Sequence, residues 1–219
     1  KKVDYDNLRI SSETNETNAV FDLKDNSISV NGVQNIEFSQ SQRVGLKPYG
    51  ENIRMKGNRD MDFHGRLFAG FGRIEGKDFH FDYNKFQVTL DSVRYFDLFL
   101  PTGKVQKNGE PEAYSIGSRI EHLSGVLLID APANKSGREN IEMFPSMESK
   151  KNAFVFYDYK KTQGGAYERD SFYFKLNPFS FNSLDKYIKE DIKFKGKLIS
   201  ADIFPTIDET VLVREDSSL

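Results

Sequence analysis

Phe63-His64-Gly65-Arg66-Leu67-Phe68 sets an apolar residue, a glycine and a leucine at alternate positions, and the pattern returns as Leu123-Ser124-Gly125-Val126-Leu127-Leu128 and as Phe194-Lys195-Gly196-Lys197-Leu198-Ile199. In an extended chain alternate side chains share a face. Phe63, Gly65 and Leu67 then point one way, as do Leu123, Gly125 and Leu127, and Phe194, Gly196 and Leu198. A glycine on an apolar strand face gives up packing area and adds backbone freedom. It belongs there when bulk from a neighbouring strand, such as a large ring, lies over the bare backbone. Gly65, Gly125 and Gly196 are therefore expected at equivalent inward-facing β positions.

A second cassette supplies the rings. Asp78-Phe79-His80-Phe81-Asp82-Tyr83-Asn84-Lys85-Phe86-Gln87-Val88 matches Asp170-Ser171-Phe172-Tyr173-Phe174-Lys175-Leu176-Asn177-Pro178-Phe179-Ser180-Phe181, with Ser171 as an insertion. Phe79, Phe81 and Tyr83 share one parity, and Phe86, Val88 and Leu90 the other. In the second copy Phe172, Phe174 and Leu176 share one parity, and Phe179 and Phe181 the other. A period-two pattern cannot slip by one residue without turning its face over. A bulge or tight turn therefore belongs at Asn84-Lys85 and at Asn177-Pro178, where Pro178 also lacks a ladder donor. A hairpin centred near Gly72 would set Gly65 opposite Phe79 and Phe63 opposite Phe81. Cassettes recurring in a fixed order predict stacked units: an N-terminal β segment over 1–60, unit one over 61–119, unit two over 120–191 with an insertion at 131–169, and the start of a third unit over 192–219.

Outward from the cassettes, turn signals recur about every 8–12 residues, the spacing of an all-β domain. Asp25-Asn26 separates Val20-Phe21 from Ile28-Ser29-Val30, and Asn31-Gly32, Pro48-Tyr49-Gly50-Glu51 and Gly57-Asn58 follow. Asn7 to Asn18 reads as a polar lead-in or a solvated strand pair. The fold class is all-β: stacked β-repeat units forming an open groove, a solenoid or a sandwich, with at most one or two short helices. Leu184, Tyr187 and Ile188 predict a short helix over Ser183–Glu190; a lesser candidate at Glu139–Met147 is interrupted by Pro145. The chain opens Lys1-Lys2-Val3-Asp4-Tyr5 with no leader pattern and closes soon after Val211-Leu212-Val213, which reads as an excerpt of a longer polypeptide.

Composition narrows the function classes. The 219 residues carry 31 Lys and Arg against 33 Asp and Glu, a net charge of −2, which excludes the basic footprint of a nucleic-acid binder. Cysteine is absent, which excludes disulfides, thiolate metal sites and thiol nucleophiles. Aromatic residues make up 13% of the chain, too many for a disordered one. No run approaches the ~18 apolar residues of a membrane-spanning helix.

Asp62-Phe63-His64-Gly65-Arg66-Leu67-Phe68-Ala69-Gly70, Gly76-Lys77-Asp78-Phe79-His80-Phe81-Asp82-Tyr83, Leu90-Asp91-Ser92-Val93 and Phe194-Lys195-Gly196-Lys197-Leu198-Ile199-Ser200 carry a resemblance. With them, the stretch Met61–Thr210 resembles segments of large, poorly characterised β-repeat cell-envelope proteins of Bacteroidota-type bacteria. The resemblance implies secretion across the inner membrane, a location in the periplasm or at the outer membrane, and membership of a long β-repeat protein. It brings no activity and no catalytic residue. Asp91-Ser92-Val93 also resembles a bacterial O-glycosylation acceptor.

Several residues invite chemistry. In the expected hairpin His64 and His80 face each other with Asp62 and Asp82 alongside, and two imidazoles with a carboxylate suit zinc, although two ligands across one strand pair do not close a site. Otherwise they form a solvated strand face. The carboxylates Asp185, Glu190 and Asp191, and Asp208 and Glu209, cluster without defining the spaced pair that glycoside hydrolysis needs. Tyr157, Tyr159, Tyr167 and Tyr173 lie in or beside the 131–169 insertion and could stack on sugar rings, or else fill the core as aromatics mostly do. Phe79, Phe81, Phe172 and Phe174 are structural candidates with the three glycines.

The reading is a non-enzymatic structural or interaction module of the envelope, acting as a scaffold or a lipid-conducting groove. Such a groove needs an unfilled apolar inner face. The alternatives are a glycan-binding module using the Tyr-rich stretch 154–173 and a glycoside hydrolase-type enzyme with an unrecognised carboxylate pair. No cofactor is expected. The expected partners are neighbouring repeats of the same chain or other proteins, with lipid or glycan as further candidates and no nucleic acid.

Overall fold

The computed structural model describes residues 8–160, 162–215 and 217–219. The opening Lys1–Tyr5 and the first residue of the polar lead-in, Asn7, lie outside the described residues. The chain is all-β. In order its strands are β1 (Arg9–Ser12), β2 (Ala19–Asp22), β3 (Ser27–Asn31), β4 (Val33–Ser39), β5 (Val44–Pro48), β6 (Asn52–Met55), β7 (Met61–Ala69), β8 (Gly72–Asp82) and β9 (Gln87–Val105). They continue as β10 (Pro111–Ser115), β11 (Ile120–Glu121), β12 (Gly125–Leu128), β13 (Ser146–Ser149), β14 (Ala153–Phe156), β15 (Phe172–Leu176), β16 (Ser180–Phe181), β17 (Lys193–Ser200) and β18 (Ile207–Leu212). All join one antiparallel network.

The hairpins β7–β8 and β8–β9 form its centre. β7 buries Met61, Phe63, Gly65, Leu67 and Ala69 on alternate positions and turns Asp62 and His64 to solvent. Beyond β7 the sheet splits, through β5 to β4 and β1, and through β6 to β3 and β2. β9 is long enough to serve three partners beyond β8: β12 along Gln87–Leu90, β11 at Tyr95–Phe96 and β10 along Phe99–Val105. From β12 the sheet runs to β13 and β16, and from β11 to β14, β15, β17 and β18.

The hairpin register differs from the sequence expectation. Phe63 pairs with Phe79 and Met61 with Phe81, while Gly65 faces Gly76. Two local features cause the shift. The turn is only Gly70-Phe71, because Ala69 pairs directly with Gly72, and an extra residue bulges out at Lys77-Asp78, where Asp78 has φ 55. Gly70 has φ 56 and lies against the backbone of Leu184, so both its conformation and its space demand glycine.

Gly65, Gly125 and Gly196 are buried strand residues facing Pro48, Ser149 and Leu176. A Cβ at Gly65 would lie 2.5 Å from the Lys47 carbonyl oxygen, and at Gly125 and Gly196 it would overlap the carbonyl oxygens of Glu148 and Lys175. In each case the oxygen belongs to the residue preceding the strand partner. Gly76 repeats the geometry against Ser92, which precedes its partner Val93. Backbone therefore presses on all four positions. Rings add to it at two of them, Phe79 on Gly76 and Phe174 on Gly196.

The two parity breaks take different forms. At Tyr83–Phe86 the chain makes a tight hairpin loop between Asp82 and Gln87. At Asn177-Pro178 it leaves β14 and β17 and resumes as β16 against β13. The Ser183–Glu190 helix does not form. Ser183 has φ 53 and Ile188 is extended, so the segment is a turn at 184–186 followed by a 3-10 turn at Lys189–Asp191. Leu184 and Tyr187 are buried while Ile188 is 56% exposed, which breaks the helical stripe. Glu139–Met147 is likewise not helical, and its last residues enter β13. The α-helix among the described residues is one short turn, α1 (Pro132–Lys135), with proline at its start.

Buried apolar residues from Val33 to Leu219 form one continuous cluster. Phe38, Phe63, Phe79 and Phe81 interlock in it, with Phe38 and Phe81 centroids 4.6 Å apart. Phe181 packs edge-on to Tyr187 at 4.9 Å. Each such ring contributes about 1.5–3 kcal/mol by leaving water. The core between the sheet's inner faces is thus filled by side chains.

Candidate functional site

The tyrosines of the insertion lie on two sides of β14–β15. Tyr173 stands beside Phe154 and Phe156 on the outward face, with His122 against the same two rings. Tyr157 and Tyr167 instead flank Phe172, and Tyr167 stacks on it at 4.1 Å. The Tyr159 hydroxyl donates to Glu121 Oε1 at 2.6 Å. Burial, reinforced by the Glu121 carboxylate, pushes the Tyr159 phenol well above its ordinary range, and burial alone raises Tyr157. These four rings therefore do not share one platform.

An arginine–carboxylate network explains their placement. Glu121 and Asp97 are buried on the outward face of β11 and β9. Arg169 reaches from the insertion to Glu121 and to Asp158 at 3.1 Å, and its guanidinium lies 3.7 Å from the Phe156 ring centroid. Desolvation opposes the charge on Arg169, but the two carboxylates outweigh it and raise its pKa. Arg73 and Arg119 hold Asp97 at 2.5 and 3.1 Å. Both buried carboxylates are spent on ion pairs that clamp the insertion and β9 to the sheet. Of the clustered acids, Asp191 accepts the Ile188 amide and Asp208 lies 3.6 Å from Lys197. Asp185 is half-buried, which raises its pKa.

The histidines lie elsewhere, on the polar face of β7–β8. Because of the shifted register His64 and His80 do not face each other. His80 stands across from Asp62, with Nδ1 donating to Asp62 Oδ1 at 2.5 Å, and Lys56 Nζ reaches the second oxygen at 2.6 Å. Partial burial would raise the Asp62 carboxyl, but the hydrogen bonds from Lys56 and His80 prevail and hold it below its ordinary value. His64 Nδ1 accepts the Asp78 backbone amide at 2.9 Å across the bulge. In the neutral ring the proton is then on Nε2, which leaves no lone pair for a metal. Among the described residues no group of three or more His, Cys, Asp or Glu is placed to hold a metal ion.

These side chains line an open groove of about 560 Å³ that crosses from β3 and β6 over β7 to the β8–β9 bulge. Ser29 and Asn31 of β3 face Arg54 and Asn52 of β6 on one wall. His64, Asp78 and Asp91 form the other, and Tyr49 stands at the rim. The register shift that separates the histidines also builds this groove, because the bulge turns Asp78 outward beside Asp91. The sequence signal for it was the glycine and the lone aspartate in Gly76-Lys77-Asp78, which interrupt the alternation of β8.

Comparison with known protein families, with curated proteins and with solved structures finds no match to this chain. The class that fold and site define is an all-β protein with a polar surface groove and a clamped insertion. Among the described residues no helix is long and apolar enough to cross a membrane.

Proposed function

We propose that this chain is a non-enzymatic interaction module of a bacterial envelope protein, a β scaffold whose sheet is continued at its β2 and β18 edges by neighbouring β segments of the same longer protein. The supporting observation is the state of the sheet's terminal strands. Five strands, β1, β2, β10, β16 and β18, pair with a single partner among the described residues, and of these β2 pairs with β3 and β18 with β17. Both carry large apolar side chains in solvent: Phe21 is 52% exposed and the adjoining Leu23 80%, while Leu212 is 52% exposed and Phe204, at the β17–β18 turn, 59%. Isolated domains protect open edges with charge, proline or a covering loop. Here apolar surface accompanies free backbone donors and acceptors, which suits edges that are covered by further strands. The resemblance of Met61–Thr210 to envelope β-repeat segments supports the location and the identity of the neighbour.

Hydrogen exchange tests this. In the isolated chain the amides of β2 and β18 should exchange rapidly while those of β8 are protected. In a longer piece of the parent protein that carries its flanking segments, β2 and β18 should become protected by about 100-fold or more, the scale of a newly paired strand. Equal exchange in the two samples would remove the proposal.

A further inference from the structure

We propose that the groove between β3–β6 and the β8–β9 bulge binds a neutral polyhydroxylated ligand, a short stretch of oligosaccharide. Arg54 is matched by Asp25 and Asp62 by Lys56 and His80, which leaves the carboxylates of Asp78 and Asp91 as acceptors in the groove. An anionic ligand would have to break these pairs and would meet Asp78 and Asp91. Beside these carboxylates the free groups are a mixed set of neutral donors and acceptors. The His64 Nε2–H points away from its bond to Asp78. Asn31 and Asn52 each commit one amide hydrogen, to Thr17 and Gly50, and keep a carbonyl and a second N–H. Ser29 and Asp91 have no side-chain partner among the described residues.

Hydroxyl groups both donate and accept, so a polyol satisfies such an alternating set where a purely cationic or anionic ligand cannot. The half-exposed Tyr49 ring stands at the rim of the groove and offers an apolar surface for the C–H face of a sugar. The volume of about 560 Å³ lies within the range of small-molecule sites. The walls are strand residues, held by the ladders Ser29–Arg54, Asn31–Asn52 and Arg54–Asp62, so the donors are fixed before a ligand arrives. This site is distinct from the tyrosines of the insertion and does not depend on the sheet edges.

The test titrates the whole chain, isotopically labelled, with maltotriose, xylotriose, chitotriose and trigalacturonate, each to about 10 mM, the regime of weak carbohydrate contacts. At least one neutral trisaccharide should shift the side-chain amide signals of Asn31 and Asn52 and the His64 imidazole, and leave those of Asn108 on the far β9–β10 turn unmoved. Asp91→Ala removes an exposed group without a partner among the described residues, and His64→Gln keeps an acceptor for the Asp78 amide, so both variants should melt as the parent does. Each should weaken binding about tenfold. The inference fails if no neutral trisaccharide moves the groove signals, if trigalacturonate binds more tightly than all of them, or if the double variant binds as tightly as the parent.

Discussion

A single methyl group tests how closely these strands approach. At Gly125 a Cβ would overlap the Glu148 carbonyl oxygen, which cannot yield without breaking the β12–β13 ladder. At Gly103 a Cβ meets nothing within 4 Å, and only the φ of +77 opposes it. Gly125→Ala should therefore cost about 3 kcal/mol or more, at the upper end of overpacking effects, and Gly103→Ala about 1 kcal/mol. Urea denaturation of the two variants checks the order, and equal costs would mean that the strands around Gly125 move apart freely. The apolar–glycine–leucine spacing marks three of these positions in the sequence. Gly76 escaped it, because the residue two places on is the bulged Asp78 instead of an apolar one. The pattern reports side-chain parity, whereas a bulge is a backbone event that cancels parity locally.

At the scale of elements, the turn that follows β16 holds two distant pieces of sheet. The Phe71 amide donates to the Leu184 carbonyl at 2.7 Å. The Tyr187 hydroxyl accepts the Phe99 amide at 3.0 Å and donates to the Phe99 carbonyl at 2.5 Å, with the Phe71 carbonyl 3.2 Å away. One buried hydroxyl thus ties the tip of β7–β8 to the point where β9 departs from β8. Burial raises its pKa, so it remains a neutral donor. Tyr187→Phe keeps the ring against Phe181 and removes the hydroxyl donor from the Phe99 carbonyl, while the Phe99 amide keeps its 3.0 Å bond to the Phe71 carbonyl, so the cost is about 0.5–1.5 kcal/mol. Amide exchange at Phe99 should accelerate, because of its two acceptors only the Phe71 carbonyl remains. If Phe99 stays protected while global stability falls, the hydroxyl is not the tie. The 184/187/188 spacing showed that this segment has a buried side, but it could not distinguish a helix from a turn pinned by a hydroxyl, since both bury Leu184 and Tyr187. The outward Ile188 decides between them, and only the partner at Phe99 explains why Tyr187 is inside.

For the whole molecule, the all-β class followed from alternation and turn spacing, which are local. The shared core did not, because it depends on β9 pairing with four strands, from β8 to β12, whose order no local pattern encodes. The same is true of the groove, whose walls come from residues as far apart as Ser29 and Asp91.

The β2 and β18 edges differ in chemistry, and this decides how they associate with each other. A two-fold pairing of β18 with itself about Thr210 would set Asp208 against Leu212 on one face and Glu209 against Val211 on the other. Centring it on Glu209 would oppose two carboxylates, a destabilising cross-strand pair. β2 instead offers Val20 and Phe21 with one carboxylate, Asp22, so β18 of one copy is better matched by β2 of the next. Such a contact is head-to-tail, so it adds copies one after another instead of stopping at a dimer. At high concentration the isolated chain should therefore form a ladder of species in sedimentation, and a lysine on either edge alone, Phe21→Lys or Leu212→Lys, should abolish it, because every junction uses one edge of each kind. Self-pairing predicts a different result. Blocking β2 would leave dimers joined through β18, and blocking β18 would leave dimers joined through β2. A surviving dimer in either single variant would overturn the head-to-tail arrangement.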